Sequence, residues 1–269
     1  AHRARPDHSR GALPRADRSG VVSNAFRSEL LKQRSTRTVL ALFAAMVGLV
    51  ALAVVLHGIG LPLDVLDDRS RQLMVFGLGG FLGSLFTALL GALSITSEIR
   101  HGTIRPTFLV TPQRVRVVAA KAVVCVLIGA VFGLVAAVIA SGTGTASLDG
   151  RGVEVLVDTD DAALLVAGGT IASALWAAIG VGVGAIVRRQ VPTLVGLCAW
   201  LLFVEGLLAD ATGGLGEVGR YLPGAAAAAI SGQEPDRLLA PALGLAVLGL
   251  YTAGSSVLGA FTMSRRDVE

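Results

Sequence analysis

Charged residues are scarce in this sequence: Asp, Glu, Lys and Arg make up 16% of its 269 residues. A soluble globular domain contains about 25% charged residues. Hydrophobic residues reach 53%, and the mean hydropathy is +0.71. An ordinary soluble domain is therefore excluded, and the composition is typical of a protein that crosses the membrane several times.

Residues that carry chemistry are also few. The only lysines, Lys32 and Lys121, lie outside any G-K-[ST] sequence, so the chain has no P-loop with which to bind ATP. No H-E-x-x-H motif and no Ser/His pair suited to intramembrane proteolysis is present. The cysteines, Cys125 and Cys198, lie in separate apolar runs and indicate packing residues rather than a disulfide framework. We expect a chain that is not itself an enzyme and binds no metal or cofactor.

Six apolar runs dominate the sequence after residue 37, each near the length of about 20 residues that crosses a bilayer. They predict one all-α membrane domain over residues 21–269. The predicted spans are Val39–Gly60, Leu73–Ile95, Val117–Ser141, Ala162–Val187, Val191–Ala209 and Leu238–Met263.

Basic residues indicate the orientation, because cytoplasmic loops are enriched in Lys and Arg. Most of the 23 lysines and arginines lie in the N-terminal stretch, between the second and third spans, between the fourth and fifth, and after the sixth. The other loops hold only Arg69, Arg71, Arg151, Arg220 and Arg237. This pattern predicts a multi-pass protein of a bacterial plasma membrane with both termini cytoplasmic. It explains the basic charge without nucleic-acid binding.

Two kinds of segment precede the first span. Residues 1–20 are rich in Arg, Pro, Ser and Gly and predict a disordered cytoplasmic tail. In residues 21–37, Val22, Phe26 and Leu30 recur at helical spacing among basic residues, which favours an amphipathic helix at the membrane interface. A solvated extension of the first membrane helix is the alternative.

The stretch from Ser97 to Lys121 is the one place where charge, Gly and Pro gather between two long apolar runs. Gly102 suits the left-handed residue that ends a helix, and Thr103 suits the cap of the next one. The pattern predicts a short cytoplasmic helix over residues 103–111, with Ile104 and Phe108 on one face. Such a helix fits a groove on a soluble partner. The alternative is a capped turn that only carries cytoplasmic charge.

Small residues recur every fourth position in three of the spans. This spacing lets helix backbones approach closely, and we expect mostly contacts within the chain, with dimerisation as an alternative for one stripe. The residues are Gly79, Gly83, Thr87 and Gly91 in the second span, Gly129 and Gly133 in the third, and Gly180 and Gly184 in the fourth.

Two features near the far side of the membrane are ambiguous. Residues 212–231 are apolar but interrupted by Gly and Pro, which favours a re-entrant segment shielded by protein over a plain surface loop. Glu205 is the one carboxylate deep in a span. It is a candidate point on a translocation path or, equally, a hydrogen-bonded contact between helices.

The stretch around Glu98 also resembles the permease subunits of type-2 ABC exporters. The resemblance rests on the pattern S-E-x-x-x-G-T, then P-x-R, then Lys, formed here by Ser97, Glu98, Gly102, Thr103, Pro112, Arg114 and Lys121. The R-S-E-L-L-K sequence at 27–32 is similar to the elbow helix of that family, and the sequence at 221–224 supports the match. With six spans, the likeness extends over nearly everything after residue 20.

This resemblance implies a function and a set of partners. Residues 103–111 would be the coupling helix that docks on separate cytoplasmic ATP-binding cassette subunits, which bind ATP and Mg²⁺. Two permease copies in the lipid bilayer, identical or similar, would form the path for export. The implied interface residues are Glu98, Arg100, Gly102, Thr103, Ile104, Arg105, Phe108, Pro112 and Arg114, and those of the elbow helix are Phe26, Glu29 and Lys32.

The substrate class is inferred from the low aromatic content of 5%, which argues against stacking of sugars. An apolar lining favours a hydrophobic or amphiphilic molecule such as a drug, an antibiotic or a lipid. A secondary transporter and a structural membrane subunit are the alternative functions. A secondary transporter would be expected to show several charged groups at mid-membrane, and Glu205 alone is weak support for it.

Overall fold

A computed structural model describes residues 37–102, 114–209, 218–233 and 237–265, and every regular element in these ranges is helical. The longer elements are α1 (Arg37–Gly60), α3 (Arg69–Arg100), α4 (Arg114–Asp149), α5 (Thr159–Val187), α6 (Gln190–Ala199) and α9 (Pro241–Arg265). The shorter ones are α2 (Leu63–Leu66), a π-helical segment (Trp200–Val204), α7 (Glu205–Ala209) and α8 (Pro223–Ile230).

Six helices are long and apolar enough to cross a membrane. Five are α1, α3, α4, α5 and α9, and the sixth runs over Gln190–Leu208 through α6, the π-helical segment and most of α7. The predicted all-α fold with six spans is confirmed. The predicted tail, the coupling segment 103–111 and the elbow segment up to residue 36 lie outside the described residues and stay predictions.

The third span continues beyond its predicted end. The sequence placed that end at Ser141 because Gly, Ser and Thr follow, but α4 is 36 residues long and ends at Asp149. Its hydroxyl groups do not interrupt the helix, since Thr143 donates to the Ile139 carbonyl at 2.6 Å and Ser147 to the Thr143 carbonyl at 2.7 Å. The glycine tolerated in this part, Gly144, leaves room for the Phe76 ring.

The centre of the bundle is the crossing of α3 and α5. A Cβ atom at Gly91 of α3 would overlap the Ala177 carbonyl of α5, and one at Gly180 of α5 would overlap the Ala88 carbonyl of α3. Thr87 donates across the same crossing to the Ser173 carbonyl at 2.8 Å. Because each helix presents a glycine to the backbone of the other, the two can approach closely.

The third helix of the core, α4, packs into the groove beside that crossing. Its Gly133 lies against Ser173 of α5, and its Ala136 lies against Gly79 of α3. The predicted small-residue stripes therefore make contacts within the chain, as expected. Gly83, Gly129 and Gly184 face neighbouring helices in the same way.

One end of the bundle is joined by hydrogen bonds to loop backbone, and we call it the Gln72 end. The Gln72 side chain, 1% exposed, donates to the Leu66 carbonyl at 2.9 Å and the Glu154 carbonyl at 2.8 Å, and accepts from the Leu156 N–H at 2.8 Å. Arg151 donates to the carbonyl groups of Gly58 and Leu61 at the end of α1. These bonds fix the loop after α4 against two other chain segments.

A surface ion pair lies near the same end. Arg69 at the start of α3 makes a bidentate contact with Asp161 in the first turn of α5, with N···O distances of 2.6–3.0 Å. Asp161 also accepts the Asp158 N–H at 3.4 Å within a capping box that begins α5. The pair therefore joins the starts of the two central helices.

The segment before the last span contains a packed helix rather than a plain surface loop. In α8, Ala226, Ala229 and Ile230 are buried, and the carbonyls of Ala226 and Ile230 lie against Gly244 and Gly168 of the neighbouring helices. Residues 210–217 lie outside the described residues. Entry of this segment into the membrane stays a prediction, with the shielding by protein that it would need now visible for 223–230.

Candidate coupling site

Four helix ends meet at the opposite end of the bundle, which we call the Glu98 end. Because α3, α4, α5 and α6 alternate in direction, the last turns of α3 and α5 lie beside the first turns of α4 and α6. Side-chain bonds confirm the proximity: Glu98 of α3 contacts Lys121 of α4, and Arg100 of α3 contacts Gln190 of α6. The predicted coupling segment leaves and re-enters the bundle at this end.

The Glu98–Lys121 contact is a largely buried ion pair. Lys121 Nζ lies 2.8 Å from Glu98 Oε1, and the two side chains are 1% and 14% exposed, respectively. Removing one member of a buried pair is strongly destabilising because the other charge remains desolvated. The pair therefore holds the last turns of α3 against the early turns of α4, on the two sides of residues 103–113.

Termination of α3 is set by local hydrogen bonds. The His101 N–H donates to the Ser97 carbonyl at 2.9 Å, and its ring Nδ1 lies 2.8 Å from the same oxygen. Gly102 follows with a φ of +68°, the left-handed conformation that a Cβ disfavours. The helix end predicted at Gly102 is confirmed, and the chain is directed out of the bundle there.

The neighbouring α5–α6 turn is tight and contains a strained residue. Arg188 has a φ of 61°, which residues other than glycine rarely adopt, and its N–H donates to the Gly184 carbonyl at 2.9 Å. The Thr193 hydroxyl donates to the Arg189 carbonyl at 2.7 Å. Arg100 reaches this turn through its bond of 3.2 Å to the Gln190 side chain, so α6 is joined to the end of α3.

The described residues include only part of the predicted interface. Glu98 is partly buried, Arg100 and Gly102 are exposed, and Arg114 begins α4. These four positions surround the exit and entry of the coupling segment. The predicted interface residues Thr103, Ile104, Arg105, Phe108 and Pro112 and the elbow residues Phe26, Glu29 and Lys32 lie outside the described residues.

Glu205 lies elsewhere, directly after the π-helical segment. Its carboxylate accepts the N–H groups of Gly224 and Ala225, the latter at 3.0 Å, and so caps the first turn of α8. The Trp200 side chain makes a further, weaker polar contact with this carboxylate. Of the two readings of Glu205, the structure shows the hydrogen-bonded contact between helices, and a place on a translocation path stays a prediction.

Sequence reasoning did not find the residues that hold these sites together. Lys121 stood out as a lysine at the start of an apolar run, and a buried lysine needs a counter-charge, so Glu98 could have been assigned to it. Gln72 and Arg151 gave no such signal, because their partners are backbone groups distant in sequence. The partners of Glu205 were equally hidden.

A family comparison identifies the bundle. The family model described as ABC-2 family transporter protein matches residues 25–203, two thirds of the chain. The chain belongs to the ABC-2 transporter family. A comparison with curated proteins found no match. The expected resemblance to type-2 ABC permeases is therefore confirmed, and the protein is a multi-pass membrane subunit of that type.

The matched range of this ABC-2 permease includes the whole Glu98 end. It contains the Glu98–Lys121 pair, the segment 103–113 and the α5–α6 turn, and it stops two residues before Glu205. The first four spans and most of the fifth thus belong to the family's shared part, whereas α8 and α9 lie beyond the match.

Proposed function

We propose that this ABC-2 permease is the membrane part of an ATP-driven exporter for a hydrophobic or amphiphilic substrate. Cytoplasmic ATP-binding cassette subunits dock on residues 103–111 and supply ATP and Mg²⁺, while this chain binds neither. Two permease copies, identical or similar, enclose the path. The observation that carries the proposal is the buried Glu98–Lys121 pair, which fixes both attachments of the docking segment to core helices.

The packing suggests how work passes from the docking segment into the membrane. A push on residues 103–113 acts on the joined ends of α3 and α4, since the ion pair resists their separation. Both helices pack closely against α5 through glycine contacts. Close-packed interfaces resist compression and shift between discrete arrangements, so α3 and α4 would move together against α5. In this mechanism the permease itself performs no bond-making step.

Substrate class and direction rest on the apolar character of the bundle and on the family. The described cavities are lined mainly by aliphatic and aromatic side chains, which suits a molecule with a large apolar part. Reconstitution into liposomes with the nucleotide sites outside tests direction: an exporter moves a fluorescent amphiphile into the lumen when ATP is added. Loss of the dye from preloaded liposomes on ATP addition would mean import and contradict the proposal.

The ATP-binding partner is tested first by isolation. We expect the permease, purified in mild detergent from its native membrane, to retain a P-loop protein whose ATP hydrolysis is stimulated in the complex. Phe108→Asp should abolish that stimulation, because a carboxylate replaces the apolar anchor of the docking segment. Phe108→Leu is the matched control and keeps most of the stimulation. Normal hydrolysis in the Asp variant would reject docking at residues 103–111.

A further inference from the structure

A cavity of about 210 Å³ lies inside a single copy of the bundle, away from the Glu98 end. It is enclosed by the first half of α3, by α5, by the π-helical segment and by α8. The lining residues are Met74, Gly77, Leu78, Gly80, Phe81 and Ser84 of α3, Ala172 and Trp176 of α5, Leu201 of the π-helical segment, and Gly224, Ala227, Ala228, Ser231 and Gln233 of α8 and the turn after it.

Two polar atoms on the walls lack partners. Ser84 and Trp176 are each 2% exposed, and neither Ser84 Oγ nor Trp176 Nε1 makes a hydrogen bond to any described residue. Other buried hydroxyls of α3 behave differently: Ser94 donates to the Gly91 carbonyl and Thr96 to the Ala92 carbonyl. Because a buried polar group is usually hydrogen-bonded, two unsatisfied ones on one cavity indicate a missing partner.

The cavity reaches the apolar flank of the bundle. Met74 and Phe81, one on each side of the wall formed by α3, are 41% and 37% exposed, although both line the cavity. At the other side Gln233 packs its amide against Gly77. A ligand would therefore enter past Met74 and Phe81 from an apolar environment rather than from bulk water.

The donors and the volume define the ligand. An indole N–H only donates, whereas a hydroxyl donates or accepts, so the missing partner is an acceptor. The lining contains no Asp, Glu, Lys, Arg or His to offset a charge, which excludes an ionised group. By proportion to benzene, which fills an apolar cavity of about 150 Å³, the space holds about eight non-hydrogen atoms.

We propose that this cavity binds an uncharged ester or a similar carbonyl compound, whose oxygen accepts from Trp176 Nε1 or Ser84 Oγ while its short apolar body fills the rest. A free small ester and the ester end of a lipid share this chemistry. Binding of this kind does not depend on ATP hydrolysis, so it can fail or succeed independently of the exporter proposal.

Fluorescence of Trp176 gives a direct test, because the chain has only two tryptophans. In a Trp200→Phe background, Trp176 is the only emitter, and ethyl 4-bromobutanoate serves as a heavy-atom quencher. In an ether-linked detergent we expect saturable quenching. The probe 1-bromooctane, of similar size but without a carbonyl, should bind several-fold more weakly. Linear quenching of equal strength by both probes would show partition into the micelle and overturn the proposal.

Variants separate the cavity from general effects. Ser84→Ala should weaken ester binding about 2- to 12-fold, the range of one neutral hydrogen bond. Ser94→Ala is the matched control on the same helix and should leave binding unchanged, since its hydroxyl bonds to the helix itself. Ala227→Leu should fill the space and abolish saturable quenching. Equal affinities in wild type, Ser84→Ala and Ala227→Leu would overturn the proposal, as would a cavity that holds water alone and shows no quenching.

The source of the ester is resolved in a second arm. In nanodiscs of ether-linked lipid the bromo-ester should still quench Trp176. Addition of ester-linked phosphatidylcholine displaces it if the lipid ester is the natural occupant, and leaves quenching intact if the site prefers a small free molecule. Both results support an ester site, while absence of quenching in ether-linked nanodiscs would count against one. Circular dichroism and a single elution peak confirm that each variant is folded.

Discussion

The two ends of the bundle are held together by different kinds of bond. At the Gln72 end, Gln72 and Arg151 bond to five backbone groups of separate segments. At the Glu98 end, one largely buried charge pair and one exposed bond, Arg100–Gln190, join the helix ends. Bonds to loop backbone fix loops in place. A charge pair below an emerging segment fixes only its two attachments, which leaves that segment available to a partner.

The largest expected effect is at the charge pair. Lys121→Met leaves the Glu98 carboxylate without its closest cation, and we expect a loss of about 3 kcal/mol of stability, at the low end for buried pairs because Glu98 keeps some exposure. Thermal unfolding in detergent measures it. ATP hydrolysis stimulated by the partner should fall in the folded fraction as well.

A double variant sharpens this prediction. Glu98→Leu combined with Lys121→Met removes both charges, so stability should recover towards wild type while stimulated ATP hydrolysis remains low. Equal losses in the single and double variants would mean that the pair contributes no coupling free energy between the two helices.

Gln72→Leu comes next. The change deprives two carbonyls and one N–H of their partner, and we expect at least about 2 kcal/mol of destabilisation. Its effect should differ in kind from that of Lys121→Met. Once the lower stability is allowed for, by assay well below the melting temperature, stimulated ATP hydrolysis per folded complex should be unchanged. A reduced stimulation would show that both ends take part in coupling.

Glu205 should give an intermediate result. Glu205→Ala removes the cap of α8, a loss of about 1 kcal/mol, whereas Glu205→Gln keeps one carbonyl acceptor and should cost less. Transport rates of both variants, measured in liposomes, separate the two readings of this residue. A rate that falls sharply in Glu205→Gln while stability is retained would place the carboxylate on the translocation path.

The smallest effect is expected at the surface pair of the Gln72 end. Arg69→Gln breaks the contact with Asp161, but Arg69 is 49% exposed, so we expect about 0.5 kcal/mol or less. It also serves as the control for Lys121→Met, since it removes one cation from an ion pair on α3 at the opposite end. A loss comparable to that of Lys121→Met would remove the contrast between the two ends.

The sequence was most informative where length and local chemistry decide the structure. Long apolar runs predicted six helices, Gly102 predicted the end of α3, and the glycine stripes predicted close contacts within the chain. Each of these depends on residues near one another in sequence. The glycines of α3 and α5 also had to meet a partner, and a helix that is otherwise apolar has few other ways to pack in a membrane.

The features that escaped prediction depend on distant partners. The extension of α4 past Ser141 is stabilised by packing of Gly144 against Phe76, which local propensity cannot show. Gln72 bonds to residues 82 and 84 positions away, and Glu205 caps a helix across a loop. The cavity between α3, α5 and α8 arises from the arrangement of all three helices. Its polar atoms, Ser84 and Trp176, were indistinguishable in the sequence from ordinary packing residues.

The π-helical segment makes the position of Glu205 dependent on chain length. The Glu205 N–H bonds to the Trp200 carbonyl five residues back, so this turn holds one residue more than an α-helical turn. Deletion of Leu202 would convert it to α-helix and rotate all that follows by about 100°. Glu205 would then face away from α8 although no contact residue had changed. The fifth span thus encodes the docking of α8 in its residue count as much as in its residue types.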